Sequence, residues 1–168
     1  MSRLQKNMVN IVMFNGVWLL CVLGGNLVAA AAVAITVAVH MKFISLDGRE
    51  LGFIVCVALV GLMVEFGLVY FGVLRQPNGS AIPPVWLLLL WPLFAITLNH
   101  STSWFQNHLW LSAVAGAVAG PLTYYTGTRL TDYEIVDPFN TSMVKLVIVW
   151  MIVFPALMVL ARNFKLRR

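Results

Sequence analysis

The sequence predicts an all-α, polytopic membrane protein: a compact bundle of about six transmembrane helices. Two observations support this fold class. Of the 168 residues, 61% are hydrophobic and only 10% are charged, whereas soluble domains contain roughly 45–50% apolar and about 25% charged residues. The apolar residues also form long runs, and a helix needs about 20 such residues to cross a bilayer. We therefore expect lipid rather than water around most of the chain.

Six spans account for nearly all of a single membrane domain, residues 1–168. The first apolar stretch, Met8 to Phe43, would be roughly 54 Å long as one helix, against a hydrocarbon core of about 30 Å. Gly24-Gly25-Asn26 has turn chemistry, so we expect two spans here, at about 8–24 and 27–44. Polar or proline-containing segments separate the other spans, which are expected at about 51–74, 84–100, 107–130 and 142–161.

The N-terminal segment has some features of a signal peptide. Arg3 and Lys6 precede the first apolar run, and Ala29-Ala30-Ala31 imitates a cleavage site. The apolar run is longer than the 7–15 residues of a usual signal-peptide core. An uncleaved first span is therefore expected.

The basic residues predict the orientation of the bundle, since Lys and Arg are enriched in cytoplasmic loops. Six spans with both termini in the cytoplasm would place eight basic residues inside: Arg3, Lys6, Lys42, Arg49, Arg162, Lys165, Arg167 and Arg168. Only three would lie outside: Arg75, Arg129 and Lys145. Five spans would give a weaker bias. Although the net charge is +5, the basic residues lie at chain and helix ends, so we expect membrane lipids as partners and no nucleic acid.

A buried acidic residue is the first candidate for function. Glu65 falls inside the third predicted span, where an acidic side chain costs about 2.5–3.5 kcal/mol on insertion scales. It shares a helical face with Ala58, Gly61 and Gly72, which predicts that it points into the bundle. Glu65 either binds a ligand or a proton in an internal cavity, or has a packing role only. In a packing role it would be protonated, or hydrogen-bonded to a neighbouring helix.

Other polar residues extend this candidate site. Asn99, His100 and Ser101 close the fourth span, where they either form part of a polar site or simply end the helix. Tyr124 lies at about the depth of Glu65, which makes a contact plausible. The candidate internal polar site comprises Glu65, Asn99, His100, Ser101, Tyr124 and Asn15.

The sequence predicts no metal site and no cofactor. His100 and His108 alone are a weak metal signal. Cys21 and Cys56 lie in apolar runs and are expected to be buried small hydrophobes.

Small residues at four-residue spacing predict close helix packing. Ser112, Gly116 and Gly120 form one such stripe, and Ala30, Ala34 and Ala38 form another. Internal packing is the expected use, and a homodimer face is the alternative. Gly116, Gly120, Pro121 and Gly61 are the predicted packing residues, while Pro92, Pro121 and Pro155 should kink their helices.

Several segments resemble a known family. They are Phe14-Asn15-Gly16-Val17-Trp18, Cys21-Val22-Leu23-Gly24, Trp91-Pro92-Leu93-Phe94-Ala95, Thr97-Leu98-Asn99-His100-Ser101 and Gly120-Pro121-Leu122-Thr123-Tyr124. Together they resemble a bacterial inner-membrane family classed as a domain of unknown function, over nearly the whole chain. Its members are often encoded near genes resembling cyclopropane-fatty-acid synthases, which implies a link to lipid metabolism. Glu65 stands where the family more often has aspartate.

Three functions remain open at this point. The first is an accessory role in lipid or envelope metabolism, with a lipid-modifying enzyme as partner. The second is a small-solute transporter, or the substrate-binding membrane subunit of one. The third is a lipid-modifying membrane enzyme, although the motifs of rhomboid-like proteases, intramembrane metal proteases and alcohol phosphatidyltransferases are absent. No catalytic residue is assigned.

Overall fold

The computed structural model describes residues 3–45, 47–136 and 138–164, and this part of the chain is almost entirely helical. The five α-helices are α1 (Arg3–Phe43), α2 (Arg49–Tyr70), α3 (Val85–Leu98), α4 (Leu109–Leu130) and α5 (Phe139–Phe164). A 3-10 helix, Ser103–Asn107, precedes α4. Two short strands, β1 (Leu74–Arg75) and β2 (Glu134–Ile135), pair antiparallel. The predicted all-helical class is confirmed.

The first helix folds back on itself at Gly25. The backbone there has φ 69° and ψ −171°, a combination that is essentially restricted to glycine. Lys6 Nζ donates to the carbonyl oxygen of Ile44 at 3.4 Å, although a straight helix would separate these residues by about 57 Å. Gly25 therefore divides α1 into two arms, which correspond to the predicted spans 8–24 and 27–44. For this reason the described residues contain five α-helices instead of the expected six.

The two ends of the bundle differ in character. Gly25, β1 and β2 lie at one end, which we call the strand end. His40, Glu50 and His100 meet at the opposite end, which we call the histidine end. Phe164, the last residue of α5, packs against Phe53 with ring centroids 5.3 Å apart. Since Phe53 lies one turn after Glu50 on α2, α5 begins near the strand end and ends at the histidine end.

One predicted boundary is wrong for a physical reason. The third span was expected to reach Leu74, but α2 ends at Tyr70. Gly72 adopts φ 62°, which reverses the chain, and Leu74 then enters β1 opposite Ile135. As a consequence, Glu65 lies five residues from the end of α2 and not at its centre.

Small residues allow the close packing of α4 on α5. α4 packs on α5, and α3 packs on α1 and on α2. A Cβ at Gly116 would meet the α5 backbone at Trp150, and a Cβ at Gly120 would overlap the Trp150 ring. The stripe Ser112, Gly116 and Gly120 is thus an internal interface. The alanine stripe is different, because Ala30, Ala34 and Ala38 are all exposed.

The exterior of the bundle is apolar. Leu27, Met63 and Ile152 are among many large hydrophobic residues on the surface, with exposed fractions of 84%, 68% and 61%. Three helical segments are long and apolar enough to cross a membrane: Leu4–Phe43, Arg49–Tyr70 and Phe139–Phe164. Val85–Leu98 is apolar but shorter. These are the features of a membrane protein.

Candidate functional site

Glu65 lies in the interior of the bundle and accepts two hydrogen bonds on one oxygen. Its side chain is fully buried. Trp91 on α3 donates its indole N–H to Oε1 at 3.0 Å, and the Tyr124 hydroxyl on α4 donates to the same atom. Three helices therefore converge on this carboxyl group. The sequence suggested the contact between Glu65 and Tyr124, whereas the role of Trp91 was not anticipated.

A cavity of about 390 Å³ adjoins the Glu65 carboxyl group. We call it the Glu65 cavity. Half of its lining residues are aromatic, and they come from α1 to α5 and from the segment between α3 and α4: Phe14, Trp18, Glu65, Leu90, Trp91, Phe94, Thr102, Phe105, Ala115, Gly116, Ala119, Gly120, Thr123, Tyr124, Trp150 and Phe154. A volume of this size is within the range of roughly 300–1,000 Å³ that is usual for small-molecule sites.

Stacked indole rings form one side of this cavity. The rings of Trp91 and Trp150 lie 5.5 Å apart between centroids, at an interplanar angle of 14°. They reach this position because two glycines leave room: a Cβ at Gly61 would overlap Trp91, and a Cβ at Gly120 would overlap Trp150. Gly61 and Gly120, predicted as packing residues, thus shape the cavity.

Two residues that line the cavity carry a buried polar atom with no hydrogen-bond partner among the described residues. These atoms are Oε2 of Glu65 and the indole nitrogen of Trp18. A buried polar group without a partner costs about 1–3 kcal/mol. The lining of the cavity therefore includes one residue with an unpaired acceptor, Glu65, and one with an unpaired donor, Trp18.

A second polar cluster lies at the histidine end. Nε2 of His100 is 2.9 Å from Oε1 of Glu50, and Nε2 of His40 is 3.2 Å from the same oxygen. The two imidazole rings meet edge to face, with centroids 4.7 Å apart. His40 and Glu50 are fully buried, while the His100 side chain is 18% exposed. These three side chains, the His40–Glu50–His100 cluster, are all of metal-ligand types.

The polar residues after α3 hold the chain at this end. Asn10 on α1 donates to the carbonyl oxygen of Ile96 at 3.0 Å and accepts from Ser101 Oγ at 2.6 Å. Asn99 accepts from Gln106 at 3.0 Å. Asn99 and Ser101 therefore connect the end of α3 to its neighbours, and neither lines the Glu65 cavity.

The structure divides the predicted polar site into two places. Glu65 and Tyr124 meet in the cavity, but His100 belongs to the cluster with Glu50. Glu50 is fifteen positions before Glu65 on α2, or about 22 Å at 1.5 Å per residue. Asn15, expected inside, is exposed and only bonds the carbonyl oxygen of Ile11 within its own helix.

Two members of the His40–Glu50–His100 cluster were missed in the sequence. Glu50 belongs to Asp47-Gly48-Arg49-Glu50, which has the composition of an exposed turn, and His40 lies near the end of an apolar run. One signal was available: in the predicted topology, residues 40, 50 and 100 all fall at the same membrane face.

Tyr133 lies beyond α4, at the strand end, and its ring packs edge to face on Trp86 at 6.5 Å. Its hydroxyl is buried without a hydrogen-bond partner among the described residues. Burial raises the pKa of the Tyr133 phenol well above its ordinary value, and the Glu65 carboxylate raises this pKa further. The phenol therefore remains protonated at neutral pH.

Comparison with the curated proteins and with the solved structures produced no match. A family model does match, over residues 7–156, which include all residues of the Glu65 cavity and of the His40–Glu50–His100 cluster. Because this match covers most of the 168 residues, the chain belongs to the family described as "Protein of unknown function (DUF2878)".

Proposed function

We propose that this protein is a multi-pass membrane protein that binds a small organic cation, such as a quaternary ammonium compound, in the Glu65 cavity. The observation that carries this proposal is a buried carboxyl group with an unpaired oxygen on the wall of an aromatic cavity. Of the three functions considered from sequence, this favours a solute carrier or the substrate-binding membrane subunit of a transporter.

The charge of the site favours a cation. Within the described part of the chain, no Lys, Arg or His side chain pairs with Glu65, whose bonded partners are Trp91 and Tyr124. No Lys or Arg is among the lining residues either. Anions and phosphate-bearing headgroups would lack a counter-charge in this cavity. A ligand with a positive charge would instead supply the missing partner of the carboxylate.

The aromatic wall favours a cation with apolar substituents. Indole rings attract cations to their faces, and such a contact is worth about 2 kcal/mol or more when it is shielded from water. Trp18, Trp91 and Trp150 all border the cavity. The indole N–H of Trp18, which has no partner among the described residues, could also donate to a hydroxyl oxygen of the ligand. A quaternary amino alcohol has all of these features.

The cavity would lie within a bilayer in our proposed topology. Helix α1 contributes two arms, which brings the number of crossings to six, with the first and last described residues, Arg3 and Phe164, at the histidine end. Lys6, Lys42, Arg49 and Arg162 lie at this end, which supports an orientation with the histidine end in the cytoplasm of a bacterial inner membrane.

The binding test compares choline with its neutral carbon analogue, 3,3-dimethylbutan-1-ol. Purified protein in detergent is titrated with each compound while its tryptophan fluorescence is recorded, because three indoles border the cavity. We expect saturable binding of choline, and binding of the alcohol that is weaker by about 30-fold, which corresponds to 2 kcal/mol. Equal affinities for the two compounds would contradict the proposal.

Matched variants separate the charge from the shape of the site. Glu65→Gln keeps the size of the side chain, removes the charge, and should weaken choline binding at least about tenfold, or 1.4 kcal/mol, without changing binding of the alcohol. Glu134→Gln is the control, since Glu134 is exposed and paired with Arg75. Trp110→Phe controls for the fluorescence signal, because Trp110 is 69% exposed. Unchanged choline binding in Glu65→Gln would also reject the proposal.

A further inference from the structure

We propose that the His40–Glu50–His100 cluster binds one divalent transition-metal ion of the Zn²⁺ class. One ligand atom from each of the three side chains lies within 4.8 Å of the other two. The residues come from three separate parts of the chain: the second arm of α1, the first turn of α2 and the segment after α3. The ion would hold these three segments together at the histidine end.

The spacing of the ligand atoms fits a metal ion. Nitrogen and oxygen ligands about 2.0–2.1 Å from Zn²⁺ in a tetrahedral arrangement lie about 3.3 Å from one another. The distances from Glu50 Oε1 to His40 Nε2 and His100 Nε2 are 3.2 and 2.9 Å. Small side-chain rotations would therefore bring all three groups onto one ion.

The cluster also has an unused ligand atom. Oε2 of Glu50 is fully buried and accepts no hydrogen bond of good geometry from the described residues, although the Ser45 side chain also interacts with this carboxylate. Both imidazoles converge on Oε1, which leaves Oε2 free to coordinate. Such an atom is costly in an apolar interior, and a cation beside it would remove that cost.

The ligand set selects the type of metal. Two imidazoles and one carboxylate are borderline ligands that suit Zn²⁺ or Fe²⁺, whereas Mg²⁺ and Ca²⁺ prefer oxygen ligands alone. Three protein ligands leave at least one position open, as in zinc sites that also bind water or substrate. The partial exposure of His100 gives the ion and a water molecule a route to this position.

This site is independent of the proposed cation binding. Glu50 and Glu65 are about 22 Å apart along α2, and none of the three ligands lines the Glu65 cavity. Absence of choline binding would therefore contradict only the proposed function, and absence of metal binding would contradict only the proposed metal site. Separate titrations distinguish the two failures.

The test uses the full-length protein, purified in detergent and treated with a chelator. Isothermal titration with Zn²⁺ should show one equivalent bound, Mg²⁺ at the same concentration should show none, and Zn²⁺ should raise the melting temperature. Co²⁺ should give visible absorption bands of a four- or five-coordinate nitrogen and oxygen site. A folded wild-type protein that neither binds Zn²⁺ nor gives these bands would overturn the proposal, and the cluster would then be a hydrogen-bonded trio only.

Variants assign the binding to these residues. His100→Ala should weaken Zn²⁺ binding by more than the roughly 10–100-fold that loss of an outer partner costs. His108→Ala is the matched control, because His108 stacks on Trp104 outside the cluster, and it should bind like the wild type. Retained binding in His100→Ala, or loss in His108→Ala, would overturn the assignment. If His100→Ala does not fold, His40→Gln takes its place: weaker Zn²⁺ binding supports the assignment, and unchanged binding overturns it. The Co²⁺ spectrum of the wild-type protein tests the site independently of any variant.

Discussion

Trp91 donates its indole N–H to Glu65 at 3.0 Å, and the same ring lies over Gly61, one helical turn earlier on α2. A single indole from α3 thus satisfies the buried carboxyl group and fills the space of a missing side chain. The position of the hydrogen bond depends on that space. Glu65 and Gly61 are therefore coupled through the Trp91 ring.

Gly61→Ala should destabilise the protein, because the new methyl group would overlap the Trp91 ring. Forcing extra volume into a packed core costs about 1–3 kcal/mol. Gly67→Ala on the same helix is the control, since a Cβ there meets nothing within 4 Å. We expect it to be neutral or slightly stabilising, because alanine favours a helix over glycine by about 0.8–1.0 kcal/mol. Unfolding in detergent measures both, and equal effects would contradict the packing argument.

Asn10→Ala should also destabilise the protein, even though Asn10 was not among the residues predicted from sequence. Its amide is fully buried and links α1 to the Ile96 carbonyl and to the Ser101 hydroxyl. Truncation leaves the buried Ile96 carbonyl oxygen without its side-chain donor, at about 1–3 kcal/mol, and removes the acceptor of the partly buried Ser101 hydroxyl.

Asn15→Ala serves as the comparison, because Asn15 is exposed and bonds only within its own helix. We expect a change within about 0.5 kcal/mol, as for most surface substitutions. The measurement is the free energy of unfolding in the same detergent. A larger loss in Asn15→Ala than in Asn10→Ala would show that the described face of α1 is not the one packed on α3.

Asn10 and Asn15 show why the sequence alone was insufficient. Residues five positions apart on a helix differ by about 140° around its axis, so they face opposite sides. Which side is buried depends on where α3 lies, and the position of α3 is set by the tertiary structure. Nothing in the local sequence distinguishes the two asparagines.

Local chemistry was more informative at Gly25 and Glu65. The length of the first apolar run required a break, and only glycine readily adopts the backbone conformation that Gly25 shows. The cost of a buried carboxylate predicted that Glu65 faces the interior, as it does. Glu50 was not predicted as a site residue, because its turn-like neighbours predict an exposed side chain. Only the assembly of three chain segments buries it against His40 and His100.

Tyr133 gives a pH-dependent prediction. Burial raises the pKa of its phenol in the folded protein above the ordinary value of 10.0. The unfolded chain therefore loses this proton first, and above about pH 10 the folded state binds more protons than the unfolded state. Stability must then fall as the pH rises from about 10 toward the folded pKa, by about 1.4 kcal/mol per pH unit for this group.

Tyr133→Phe keeps the ring on Trp86 and removes the ionisable hydroxyl. At pH 7 we expect this variant to be neutral or slightly stabilising, because the hydroxyl has no partner among the described residues. Between pH 10 and 11 it should lose about 1 kcal/mol less than the wild type, because the unfolded tyrosine is only half ionised at pH 10. Contributions from groups common to both proteins cancel in the difference between the two unfolding free energies. Parallel losses over this interval would mean that the Tyr133 hydroxyl is hydrated in the folded protein, and that the loop between α4 and β2 admits water to the strand end.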